Sequence, residues 1–221
     1  MKMLYRAGCQ AEFKRSQTCC GQPAYNAGFW HEARLMAGHT LKILKGSRGA
    51  VVLPSGSCTH MIRHGYLELF KDDPEMLEQA RNLAARTFEL TEFLIDRINW
   101  SPPAMHGRGP LAYHPSCHLL RGLQIHEQPI QLLKRAGFDE IVELSPDCCG
   151  FGGVFAIDHA PISNEMLQRR LNEIMALEIE AVVGCDVSCL MNIEGALRRA
   201  GSNLRCAHLA SILTGADPGL R

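Results

Sequence analysis

Two Cys-Cys-Gly triplets, Cys19-Cys20-Gly21 and Cys148-Cys149-Gly150, stand 129 positions apart and are followed by the same order of elements. Self-similarity of this kind means that the chain builds one supersecondary unit twice. After the first triplet come a glycine-containing loop (Gln22 to Gly28), a helical pattern from Trp30 to Lys45, the apolar run Ala50 to Leu53 and a turn closing on Ser57-Cys58. After the second come a loop with Gly152 and Gly153, a helical pattern from Ser163 to Leu177, the run Ala181 to Val183 and a turn closing on Ser188-Cys189. Strands alternating with helices predict an α/β architecture of two pseudo-repeated domains, with mainly parallel sheets, one per repeat, flanked by helices.

Between the copies, Leu77, Ala80, Leu83, Ala84, Phe88, Phe93, Leu94 and Ile98 recur mostly at three- and four-residue spacing. They predict one long core-facing helix over Pro74–Asn99. The Pro/Gly-rich stretch Ser101 to Pro110 is the expected boundary, giving a first domain at 1–103 and a second at 104–221. Leu111 to His114 and Ile141 to Leu144 read as strands, with two helical stretches between them. Cys117 precedes the second triplet by 31 positions, so its counterpart in the first copy would fall before Met1. The first domain is therefore expected to be incomplete at its amino end.

Lys plus Arg and Asp plus Glu balance at 23 each, and no basic stripe interleaved with aromatics stands out. A nucleic-acid partner is not expected. No apolar run approaches the roughly 18 residues that span a bilayer, and the opening residues lack a leader pattern, which together predict a cytoplasmic chain. Ten cysteines in a reducing compartment point to metal binding rather than a disulfide framework.

Adjacent cysteines suit a multi-iron cluster better than one tetrahedral zinc, because neighbouring thiolates can bind different irons. Cys117, Cys148, Cys149 and Cys189 supply four thiolates, each in a loop after a predicted strand, where parallel strands leave a crevice at their carboxyl ends. Gly150, Gly152 and Gly153 remove side chains beside that crevice and are expected to turn N–H groups toward sulfur. Cys19, Cys20 and Cys58 form a three-cysteine set, complete only if Cys9 or an outside ligand joins it. One 4Fe–4S cluster is thus expected at the second motif, with a second left open. Cys185 reads as a bystander and Cys206 as a buried structural thiol. His114 and His118 flank Cys117 and could hydrogen-bond or ligate, as a secondary option to the all-cysteine set.

The chain resembles the cysteine-rich CCG-domain family through QTCCGQPAYNAG (Gln17 to Gly28), PSGSCTHM (Pro54 to Met61), YHPSCHLLRGL (Tyr113 to Leu123), CCGFGGVF (Cys148 to Phe155) and HLASIL (His208 to Leu213). It looks most like the lactate-utilisation iron–sulfur subunits of that family, and is related to the glycolate oxidase iron–sulfur subunit and the cysteine-rich subunit of heterodisulfide reductase. The resemblance implies two CCG domains, 4Fe–4S clusters on the motif cysteines, and a cytoplasmic complex of sister subunits that oxidises L-lactate to pyruvate. The chain departs from the family where Asp186 takes the first cysteine position of the closing C-x-x-C.

An electron-transfer subunit, itself non-catalytic or co-catalytic, is the leading expectation. A catalytic cluster like that of heterodisulfide reductase, or a structural zinc protein, are the alternatives.

Overall fold

The computed structural model describes residues 1–105 and 109–215. Residues 106–108 of the expected boundary stretch lie outside the described residues.

The first copy opens with α1 (Lys2–Arg6), α2 (Gln22–Asn26) and α3 (Trp30–Leu44). Ala33, Ala37 and Leu41 recur every four residues on the buried face of α3. Strand β1 (Val51–Leu53) leads into α4 (Gly56–His60), which continues through a π-helical turn (Met61–Gly65) into α5 (Tyr66–Leu69). The Ser55 side chain accepts the Cys58 N–H and so caps α4. Gly56 is required where α4 crosses the second copy, because a Cβ there would meet Leu119 Cβ at 2.7 Å.

The single helix expected over Pro74–Asn99 is instead three pieces. α6 (Pro74–Ala84) starts on an Asp73 cap with Pro74 in its first turn and stops before β2 (Thr87–Glu89). α7 (Leu90–Glu92) then runs into a second π-helical turn (Phe93–Arg97). The apolar spacing had sampled two helices and a strand in succession. Thr87 and Phe88 favour extended backbone. β2 pairs in parallel with β1, Val52 opposite Phe88, and the Arg63 guanidinium binds the Thr87 carbonyl at 2.7 Å. The Glu89 and Glu92 side chains form a reciprocal capping box that restarts the helix.

The second copy is a four-stranded, all-parallel sheet in the order β4-β3-β5-β6, comprising β3 (Leu111–His114), β4 (Ile141–Glu143), β5 (Ala181–Gly184) and β6 (Arg205–His208). All residues of β3 and β5 are buried, as expected for central strands covered on both faces. A third π-helical turn (His118–Gly122) and α8 (Glu127–Arg135) connect β3 to β4. After β4 come α9 (Phe155–Asp158), α10 (Ala160–Met175), β5, α11 (Val187–Arg199), β6 and α12 (Leu209–Thr214). One face packs Leu111, Tyr113 and Val183 with Leu132, Leu133 and Ile212, and the other packs Ala112 and Val182 with Leu171, Ile174 and Ile193. Each fully buried branched aliphatic contributes about 1.5–3 kcal/mol. Met3, Leu90, Leu94 and Ile95 from the first copy join the first of these cores.

The predicted α/β class with parallel sheets flanked by helices is the observed one, two-stranded in the first copy and four-stranded in the second. No helix among the described residues is long and apolar enough to cross a membrane.

Candidate metal centre

The carboxyl ends of β3, β4 and β5 deliver the second cysteine set. β3 ends on His114 and hands over through Ser116 to Cys117, the loop after β4 carries Cys148 and Cys149, and the first turn of α11 carries Cys189. This is the end of a parallel sheet where the strands leave a crevice.

Cys117 and Cys148 stand with their sulfurs 4.0 Å apart. The Cys149 thiol is buried beside Cys148 and Cys189. One ring nitrogen of His114 and the sulfurs of Cys149 and Cys189 lie within 4.8 Å of one another. All four expected cysteines therefore converge, with His114 beside them.

Crowded thiols share protons unequally. Thiol bonds from Cys117 and Cys149, together with the Gly150 N–H, push Cys148 down to about 2, while Cys117 and Cys149 are driven up as the protonated donors. Burial holds His114 down to about 4, reinforced by the Arg170 guanidinium. Its imidazole is neutral at working pH.

The CCG loop is held from beneath. Arg170, wholly buried on α10, gives Nη2 to the carbonyls of Ser145 (2.9 Å) and Asp147 (2.6 Å). Asn192 donates to the Cys149 carbonyl at 3.0 Å and Ser163 to the Gly150 carbonyl at 2.8 Å. Gly150 itself has φ +84°, and a Cβ there would lie 2.4 Å from the Ser163 carbonyl oxygen. No other residue fits that position. Its N–H donates to Cys148 Sγ at 3.4 Å, and the Phe151 N–H bonds Cys149. Gly152 and Gly153 take left-handed conformations that turn the chain into α9. A pocket of ≈ 200 Å³ lined by Arg121, Arg169 and Cys148 opens the set to solvent.

In the first copy, Cys20 is buried and its thiol bonds Cys58. That bond, with the Ser55 and Ser57 hydroxyls, lowers Cys58 to about 7. Cys19 is exposed. Cys9 points at the Ala7 carbonyl, 3.9 Å away. Cys185 is buried in the core of the second sheet against the Tyr113 hydroxyl, and burial drives its thiol up. Cys206, expected to be buried, is half-buried at the edge of the second sheet's core, where desolvation pushes its thiol up to about 12.

The residue that sequence reasoning missed is Asp186, seen there only as a departure from the family pattern. Its carboxylate, 3% exposed, accepts Ser55 Oγ at 2.7 Å, Ser57 Oγ at 2.9 Å, the Ser57 N–H at 3.1 Å and the Ser116 hydroxyl. Those serines sit beside Cys58 and Cys117, and Asp186 immediately precedes the helix bearing Cys189. One side chain thus ties together three turns that carry cysteines, across both copies. A signal was available: Ser55 and Asp186 each stand three residues before the closing cysteine of their copy.

The family model described as a cysteine-rich domain, CCG, matches residues 1–63 and 111–194. The chain belongs to the CCG cysteine-rich family. Among relatives, Lactate utilization protein A 2 of Bacillus cereus (strain Q1) is 41% identical over 218 residues, covering 96% of this chain and 88% of that protein. Lactate utilization protein A of Oceanobacillus iheyensis is 40% identical over 215 residues, covering 96% and 87%. Both matched segments of this CCG protein include a Cys-Cys-Gly triplet, and the second contains all four converging cysteines.

Proposed function

We propose that this chain is the iron–sulfur electron-transfer subunit of a cytoplasmic complex that oxidises L-lactate to pyruvate with sister subunits. The observation that carries this reading is the convergence of Cys117, Cys148, Cys149 and Cys189 at one end of a parallel sheet. Four thiolates are the usual protein set of a 4Fe–4S cluster. Such a cluster, when bound, supplies one-electron acceptance and donation.

The chain's own residues suit that task. The neighbouring thiols and the Gly150 N–H bias Cys148 toward the thiolate that a cluster needs, and that N–H would offset negative charge on sulfur and so raise the potential. Arg170, Asn192 and Ser163 fix the loop so that little rearrangement accompanies a change of charge. Lactate enters through the names of the relatives, and its oxidation belongs to a sister subunit. The first copy offers the free thiols of Cys20 and Cys58 near one another with Cys19 exposed, so a second cluster there needs a ligand from elsewhere.

The test is iron, acid-labile sulfide and zinc per chain after anaerobic purification. About four irons with matching sulfide support one cluster at the second motif, and about eight add one at the first. Zinc without sulfide overturns the electron-transfer reading.

A further inference from the structure

His114 closes β3 at 1% exposure, yet neither of its ring nitrogens has a hydrogen-bond partner among the described residues. A buried polar group left unpaired is costly, and this ring carries two. What faces it is a pair of sulfurs. One ring nitrogen, Cys149 Sγ and Cys189 Sγ are mutually within 4.8 Å, and neither sulfur is in hydrogen-bonding geometry with the ring. Donor atoms so spaced can be satisfied together by an atom that all three share.

His118 is a built-in contrast. Its Nδ1 lies 3.7 Å from Cys117 Sγ and its Nε2 lies 3.1 Å from the Gln22 side chain, so both nitrogens already have partners. Sequence proximity to Cys117 does not separate these two histidines, but the structure does.

We propose that His114 is a nitrogen ligand of the iron–sulfur cluster held by Cys117, Cys148, Cys149 and Cys189, binding on the side of Cys149 and Cys189. The inference rests on the cluster reading above and goes beyond it, because four thiolates alone would complete the usual set. An imidazole donor is neutral where a thiolate is negative. Added to four thiolates, it leaves the net charge of the cluster unchanged, so its signature is a nitrogen coupling rather than a set direction of potential.

The experiment uses the full chain grown with ¹⁵N-histidine, loaded anaerobically with ferrous iron and sulfide, and read by pulsed electron paramagnetic resonance in its oxidised and reduced states. A strong histidine nitrogen coupling in the wild type is expected. It should persist in H118A and disappear in H114A and H114Q, with iron and sulfide per chain retained. A cluster signal without histidine coupling, or with coupling that survives H114A, overturns the ligand and leaves the proposed function standing. Absence of iron and sulfide in the wild type overturns both. The wild-type measurement decides the matter even where a substitution at His114 prevents folding.

Discussion

Replacing Asp186 by alanine removes the acceptor of four hydrogen bonds from a site that is 3% exposed. The Ser55 and Ser57 hydroxyls lie 3.1 Å apart and can partner one another afterwards. The Ser57 N–H and the Ser116 hydroxyl then lose the acceptor described above. At about 1–3 kcal/mol for each donor stranded in a buried place, D186A should lower stability by about 3 kcal/mol, within a range of about 2–6. With a urea slope of about 2 kcal/mol/M, the midpoint of the metal-free protein should fall by about 1.5 M. Asparagine keeps one acceptor oxygen, so D186N should lose about half as much, and S116A less again because it strands no donor. Equilibrium urea unfolding followed by circular dichroism orders the three variants. If D186A unfolds within about 1 kcal/mol of the wild type, the carboxylate does not hold the two copies together.

Serine at Cys148 should remove about four irons per chain, whereas C206S on half-buried β6 should leave the iron count unchanged; iron and sulfide assays after anaerobic loading compare them. G150A should destabilise the metal-free protein by about 1–3 kcal/mol or more, because φ is +84° and the added methyl would collide with the Ser163 carbonyl; its denaturation midpoint reads this directly. Glu89 is fully buried, and burial raises its carboxyl from 4.5 to about 7. The folded protein then binds more protons than the unfolded chain between those values, so the stability of wild type relative to E89Q should fall as pH rises from 4.5 to 7 and level off above. Unfolding of both proteins across that range checks the sign, and a difference that is flat or rises with pH removes Glu89 as the cause.

Sequence made the parallel sheets legible because β5 is an unbroken apolar run between turns, and because strands alternate with helices. It also placed the four thiols, since each follows a strand and parallel strands deliver their loops to one end. It failed over Pro74–Asn99, where three- and four-residue spacing continued across a strand only three residues long, β2, whose pairing with β1 no local pattern reveals. It could not rank His114 above His118, because both neighbour Cys117 and only burial and partner geometry separate them. Asp186 stayed hidden for a related reason. Its three serine partners lie 131, 129 and 70 positions away, and hydrogen bonds at that range leave no periodicity.

Ser55 and Asp186 occupy equivalent places in the two copies and touch each other at 2.7 Å. In a twofold pairing of two identical chains, such a contact would fall on the axis, which would set like against like. Two buried aspartates there would repel, and two serines would bond only weakly. Joining the copies in one chain frees each side to differ, so that one becomes the acceptor and the other the donor. A single chain can therefore hold a strong junction at a point where a symmetric dimer cannot have one, and that junction makes the two halves not interchangeable.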